Sequence, residues 1–74
     1  MKLQVGLKFK TKLDPNIIGE IVEIIDNDVF FYWKSINERE IYEFIMNRLT
    51  ENQVIDNFEY WGWYKVSRLE ELLL

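Results

Sequence analysis

Five of the seven residues in Phe58-Glu59-Tyr60-Trp61-Gly62-Trp63-Tyr64 are aromatic, in a chain of only 74 residues. A second group, Phe30-Phe31-Tyr32-Trp33, brings the two clusters to nine of the twelve aromatic side chains. Aromatic rings bury the most apolar surface per residue, and Tyr and Trp add a polar end that suits interfaces. A domain this small has few core positions, so the rings exceed what one buried face can hold. The clusters therefore predict a compact β-rich domain with part of its aromatic surface turned toward a partner.

Residues 1–74 make one domain, near the lower limit of what a core can hold together unaided. The chain has no cysteine and no histidine, which removes disulfides and the usual zinc ligands. No cofactor is expected. Stability must come from packing or from a second copy of the chain, so a homodimer is among the expected states. With 49% hydrophobic and 30% charged residues the composition is that of a folded protein. No apolar run is long enough to cross a bilayer. The opening Met1-Lys2-Leu3-Gln4-Val5-Gly6 lacks the apolar stretch of a secretory signal, and a cytoplasmic setting is expected. Alanine is absent while Ile, Asn, Glu, Lys, Phe and Tyr abound, a choice of AT-rich codons that points to a low-GC bacterium or its phages.

The net charge of −4 is unevenly spread. Lys2, Lys8, Lys10 and Lys12 stand without an acid in residues 1–12, and residues 13–74 carry a net −8. Binding to phosphate backbones needs clustered Lys or Arg, so nucleic acid is not expected as the primary partner. The lysine row is the single counter-indication.

Along the chain, Leu3, Val5, Leu7, Phe9 and Leu13 alternate with Lys2, Gln4, Lys8, Lys10 and Lys12. Period two predicts a half-buried strand over 2–13, bent at Gly6. Asp14-Pro15-Asn16 is the expected turn. Residues 17–25 and 29–34 predict a hairpin around Asn27-Asp28. In that register Val22 faces Trp33 and Ile24 faces Phe31 on a core side, which makes Trp33 structural. Ile21 with Lys34, Glu23 with Tyr32, and Ile25 with Phe30 form the less covered side.

Over 38–50 the period changes: Ile41, Phe44, Ile45 and Leu49 recur at three and four. Asn37 as N-cap, Glu40 at N3 and an Ile36–Ile41 staple predict the helix start; Asn52 is the expected stop. Residues 53–66 predict a strand with Phe58, Tyr60, Tyr64 and Val66 on one side and Glu59, Trp61, Trp63 and Lys65 on the other. Gly62 marks a bulge or bend that could turn one of the two indoles inward. Ser67-Arg68-Leu69-Glu70 predicts a capping box opening a last helical turn with Leu69, Leu72 and Leu73.

Catalytic chemistry finds little to work with. The carboxylate pairs Glu20 with Glu23, Asp26 with Asp28, and Glu70 with Glu71 fall at turns, strand edges or a terminus, without a pocket to shift a pKa. Ser35 and Ser67 have no histidine to serve as base, and glycines at 6, 19 and 62 are too scattered to cradle a phosphate. No enzymatic activity is expected. The partner-binding candidates are Tyr32, Trp61, Trp63 and Tyr64. The alternative is a nucleic-acid surface of Lys8, Lys10 and Lys12 with Trp33 as stacking ring.

Val5-Gly6-Leu7-Lys8-Phe9-Lys10, then Gly19-Glu20-Ile21-Val22-Glu23-Ile24 with Val29-Phe30-Phe31-Tyr32-Trp33, and a closing Trp63-Tyr64-Lys65-Val66 follow one another in this chain. The order resembles that of small SH3-like β-barrel proteins found in phages and low-GC bacteria. The resemblance implies an α+β domain: a partly open antiparallel SH3-like barrel with one inserted amphipathic helix and a short C-terminal helical turn. It also implies a non-enzymatic module that binds a host protein, such as an anti-CRISPR or another inhibitor of defence or transcription.

Overall fold

The computed structural model describes residues 2–35, 46–67 and 69. Five strands and one helix are found among them: β1 (Lys8–Thr11), β2 (Asp14–Ile25), β3 (Asp28–Ser35), β4 (Asn47–Thr50), α1 (Glu51–Tyr60) and β5 (Trp63–Lys65). The strands form one antiparallel sheet in the order β4-β3-β2-β1-β5. The domain is a small α+β unit with an open five-stranded sheet and one helix across it.

The alternation of the first segment survives in its middle: Leu7, Phe9 and Thr11 are buried. Both ends turn away. Gly6 adopts φ +92, and the Leu7 amide donates to the Gln4 carbonyl at 3.2 Å, closing a turn before β1. At the other end the chain reverses at Lys12-Leu13, two residues earlier than the expected Asp14-Pro15-Asn16. The Leu13 amide donates to Thr11 Oγ1 at 3.2 Å, and Asp14 already pairs with Thr11. Pro15 is tolerated because it sits at the start of a strand, where a missing amide costs little. Leu13, expected inside, is therefore exposed.

The β2–β3 hairpin turns at Asp26-Asn27, one residue before the expected pair. Asp26 takes the left-handed conformation at φ 53, which Asp tolerates better than most residues. The register begins with Ile25 opposite Asp28 and Ile24 opposite Val29, then slips between Ile21 and Glu23. Beyond the slip Ile21 faces Phe31 and Gly19 faces Trp33. The expected pairing of Val22 with Trp33 is thereby corrected. A bulge adds one residue and inverts the side-chain parity of everything beyond it, so Ile21 enters the core in place of Val22.

From residue 46 onward, helix and strand are exchanged. Of the helix expected over 38–50, residues 36–45 lie outside the described residues, together with the Asn37 cap, Glu40 and the Ile36–Ile41 staple. Its end is corrected: Asn47–Thr50 is β4, with Leu49 opposite Val29 and Arg48 opposite Phe30. The helix is Glu51–Tyr60, where a strand was expected. Its start is a capping box: the Gln53 amide donates to Thr50 Oγ1 at 3.2 Å, and Gln53 Oε1 accepts from the Thr50 amide at 2.9 Å. Asn52, the expected stop, lies in the first turn. Val54, Ile55 and Phe58 then bring one helical stripe to the core. Only Trp63–Lys65 of the expected strand is a strand. Of the box expected at Ser67-Arg68-Leu69-Glu70, Arg68 and Glu70 lie outside the described residues, as do Leu72, Leu73 and Leu74.

Because β4 and β5 are opposite edges of the sheet, α1 must cross the core face between them. Four strand spacings span about 19 Å and a ten-residue helix about 15 Å, which leaves Trp61-Gly62 to close the gap. Each end is tied to a hairpin loop: the Glu51 amide donates to the Asn27 carbonyl at 2.8 Å, and the Lys12 amide to the Gly62 carbonyl at 3.0 Å. The two loops lie at opposite ends of β2, so the helix runs diagonally over the sheet. Beneath it lie Leu3, Leu7, Phe9, Ile21, Val29 and Phe31, with Val54 of the helix itself, ringed by Ile24, Trp33, Leu49, Ile55, Phe58 and Trp63.

The ring of Phe9 lies directly over Gly19, where any Cβ would collide with its Cε2 and Cζ atoms. Gly19→Ala is expected to cost about 1–3 kcal/mol by overpacking. Thr50→Ala is expected to lose about 1 kcal/mol with the cap. Urea unfolding checks both; a Gly19→Ala midpoint equal to wild type would contradict this packing.

Candidate functional site

Gly62 divides the aromatic run. Tyr60 ends α1, and Trp61 follows as its C-cap, its amide donating to the Asn57 carbonyl at 3.2 Å. These two side chains are 73% and 68% exposed. Gly62 then takes φ +83, a conformation open to glycine at little cost. The chain re-enters the sheet with Trp63 facing the core, its ring stacked on Phe9 at 4.7 Å between centroids and 18° between planes. Trp61 and Trp63 thus do not share a face as the alternation suggested. One indole is outside and the other is structural.

A third exposed residue joins this corner. The Lys12 amide bonds to the Gly62 carbonyl, and a Cβ on Gly62 would lie 3.6 Å from that of Lys12. The β1–β2 turn is therefore held against the α1–β5 connection, and the next residue, Leu13, is 89% exposed. Tyr64, paired with Lys10, is exposed on the sheet face opposite the core. Leu13 and Tyr60 were not among the candidates. Leu13 was hidden by an alternation that continued on paper past the real turn, and Tyr60 by a strand assignment for what is a helix. The Thr50-x-x-Gln53 pattern was the available signal for that helix.

The remaining candidates lie elsewhere. Tyr32 projects from the outer face of β3, opposite Glu20, which in turn faces Lys8. Burial raises the Tyr32 pKa above its ordinary value of 10.0. The charge of Glu20 and the hydrogen bond the Tyr32 hydroxyl donates to it add to the rise, and Lys8 opposes it. Lys8 and Lys10 share that outer face, but Lys12 has left the row for the turn beside Gly62. Trp33, the ring the nucleic-acid alternative needs, is on the core face. It packs edge-on against Phe9 at 5.1 Å and Trp63 at 5.3 Å. Ile18, on the outer face by parity, is only 1% exposed and lies outside the core cluster, so this face is covered in part.

For reaction chemistry the arrangement offers little. Among the described residues no group of three acidic side chains is placed to hold a metal ion. Glu20 and Glu23 stand on either side of the β2 slip. Asp28 meets Arg48 at 3.1 Å in a solvent-exposed pair, worth little by itself. Glu70 and Glu71 lie outside the described residues. What the surface presents is a corner of exposed rings beside lysines. No protein-family model, curated protein or solved structure matches this chain.

Two outcomes follow from these placements. Acrylamide should quench Trp61 and spare Trp63: Trp61→Phe should remove most of the quenchable fluorescence with little change in melting temperature. Trp63→Ala should lose about 3–5 kcal/mol, as for other emptied aromatic core sites. Equal quenching of both indoles would contradict the bend at Gly62. For Tyr32, a raised pKa means the fold favours the neutral hydroxyl. That stability is complete below pH 10.0 and is lost as the pH rises through the higher folded value. Tyr32→Phe should remove this alkaline loss, read from denaturation midpoints across the phenol titration.

Proposed function

We propose that the chain is a non-enzymatic protein-binding module whose contact surface is the corner of Leu13, Tyr60, Trp61 and Tyr64. One observation carries the reading. The chain packs Phe9, Phe31, Trp33, Phe58 and Trp63 ring against ring and yet leaves Tyr60 and Trp61 largely in water. Large exposed apolar side chains grouped on one corner are uncommon on monomers without a contact to make. Trp and Tyr are also the side chains that dominate binding hot spots.

The architecture we assign is an SH3-like, partly open barrel. Support comes from the strand order, in which the last strand returns beside the first, and from a long β2 that slips register in its middle. The helix between the fourth and fifth strands is compatible with it. Architecture alone does not assign an activity. A role as a phage-type inhibitor of a cytoplasmic host protein follows from the resemblance to such barrels. A corner that acts by occupying a partner's surface, with no chemistry of its own, fits that role.

Affinity capture from a low-GC bacterial host, with wild type and a Tyr60→Ala/Trp61→Ala variant side by side, tests the reading. The variant should fold normally and lose the captured protein. Sub-micromolar oligonucleotide binding at physiological salt, lost on replacing Lys8, Lys10 and Lys12 with Ala, would instead favour the nucleic-acid alternative.

A further inference from the structure

We infer that the outer edge of β5, unpaired among the described residues, accepts an acidic, extended polypeptide segment as a sixth strand; this names the partner of the proposed corner and rests on the protein-binding reading. Strand β5 ends the sheet and pairs on one side only, with β1. Its ladder dictates where its backbone groups point. The Gly62 carbonyl accepts from the Lys12 amide at 3.0 Å, and the Val66 amide donates to the Lys8 carbonyl at 3.0 Å. Hydrogen-bonded positions alternate along an antiparallel strand. Gly62, Tyr64 and Val66 therefore turn their polar groups toward β1, and Trp63 and Lys65 turn theirs outward. Among the described residues nothing bonds to those outward amides and carbonyls. Such an edge is a template for strand addition.

Charge selects the occupant. Residues 1–13 and 60–69 contain no acid, so the edge and the turn beside it are basic although the chain is acidic overall. Lys12 and Lys65 are exposed, and neither is engaged in an ion pair among the described residues. The nearest acids in sequence are Asp14 to Lys12 and, to Lys65, Glu70 and Glu59, of which Glu70 lies outside the described residues. A second copy of the chain pairing edge to edge would bring Lys65 and Lys12 of both copies to one seam, which like charges disfavour. An acidic strand meets no such cost: an acid opposite Lys65 and an apolar residue opposite Tyr64 alternate as a strand requires. Trp61 and Tyr60, where the edge begins, supply further apolar contact. A single-stranded nucleic acid would answer the lysines and rings, but phosphates only accept hydrogen bonds. The outward groups of Trp63 and Lys65 are donors and acceptors in pairs, the pattern a polypeptide backbone complements.

The test uses labelled peptides with the full chain, read by fluorescence anisotropy. A short peptide of alternating Glu and Val should bind saturably. The same peptide with its backbone amides N-methylated, which keeps the charge and loses the main-chain donors, should bind about tenfold more weakly or not at all. An alternating Lys–Val peptide should not bind. Lys65→Glu should weaken the Glu–Val peptide about tenfold through charge. Lys65→Pro should do so by removing an outward donor without breaking the β1 ladder. No binding of the Glu–Val peptide, equal binding of its N-methylated version, or tighter binding of oligothymidylate would each overturn the inference. If the peptide fails while capture still depends on Tyr60 and Trp61, strand addition is wrong and the protein-binding reading stands. If both fail, both are wrong.

Discussion

The fold depends on the ring of Phe9. It is fully buried and touches the rings of Phe31, Trp33, Phe58 and Trp63, which come from β3, α1 and β5. Three of these contacts are edge-to-face and one is stacked, the geometries that ring quadrupoles favour. Phe9 can sit so deep only because β2 offers Gly19 at the point beneath it. One side chain therefore joins sheet, helix and final strand. In a domain without disulfides or a metal cluster among its described residues, that convergence replaces the covalent or coordinate staples small proteins often use.

The helix depends on this centre more than on its own sequence. Ten residues make a marginal helix in isolation, and α1 begins from a capping box and a single bond to the β2–β3 loop. Its course is dictated by having to connect the two edges of the sheet. Phe58 completes the ring cluster near its end, and Trp61-Gly62 sets the chain back into pairing with β1. The aromatic run of the C-terminal segment is thus shared among three jobs: helix packing, a surface corner and a core stack.

That sharing explains what was legible in the amino-acid order and what was not. The first strand from Lys8, the bend at Gly6 and the hairpin from 17 to 34 follow from local alternation and turn chemistry, and they hold in outline. The identity of the inward residues on β2 did not follow, because a bulge obeys tertiary packing and carries no strong residue signal. The exchange of helix and strand after residue 46 has a different cause. Phe58, Tyr60 and Trp61 have strand-like propensities that tertiary context overrides, whereas the capping box at Thr50 and Gln53 starts α1. Of the candidate contact residues, Trp61 and Tyr64 are exposed, Trp63 is core, and Tyr32 is committed to Glu20 on another face.

The division of the two tryptophans also says why Gly62 and the lysines belong to one device. A left-handed residue between Trp61 and Trp63 lets consecutive indoles serve opposite sides of the chain, and the bond from Lys12 to its carbonyl holds the bend in place. The same bend starts the three-residue edge strand β5. Lys65 on that strand, with Lys12 beside it, sets a positive charge against self-association where the exposed rings would otherwise promote it. Exposed aromatics and an edge unpaired among the described residues are each aggregation liabilities. Placed beside Lys12 and Lys65, they would, on the proposed reading, favour an acidic partner strand over a second copy of the chain.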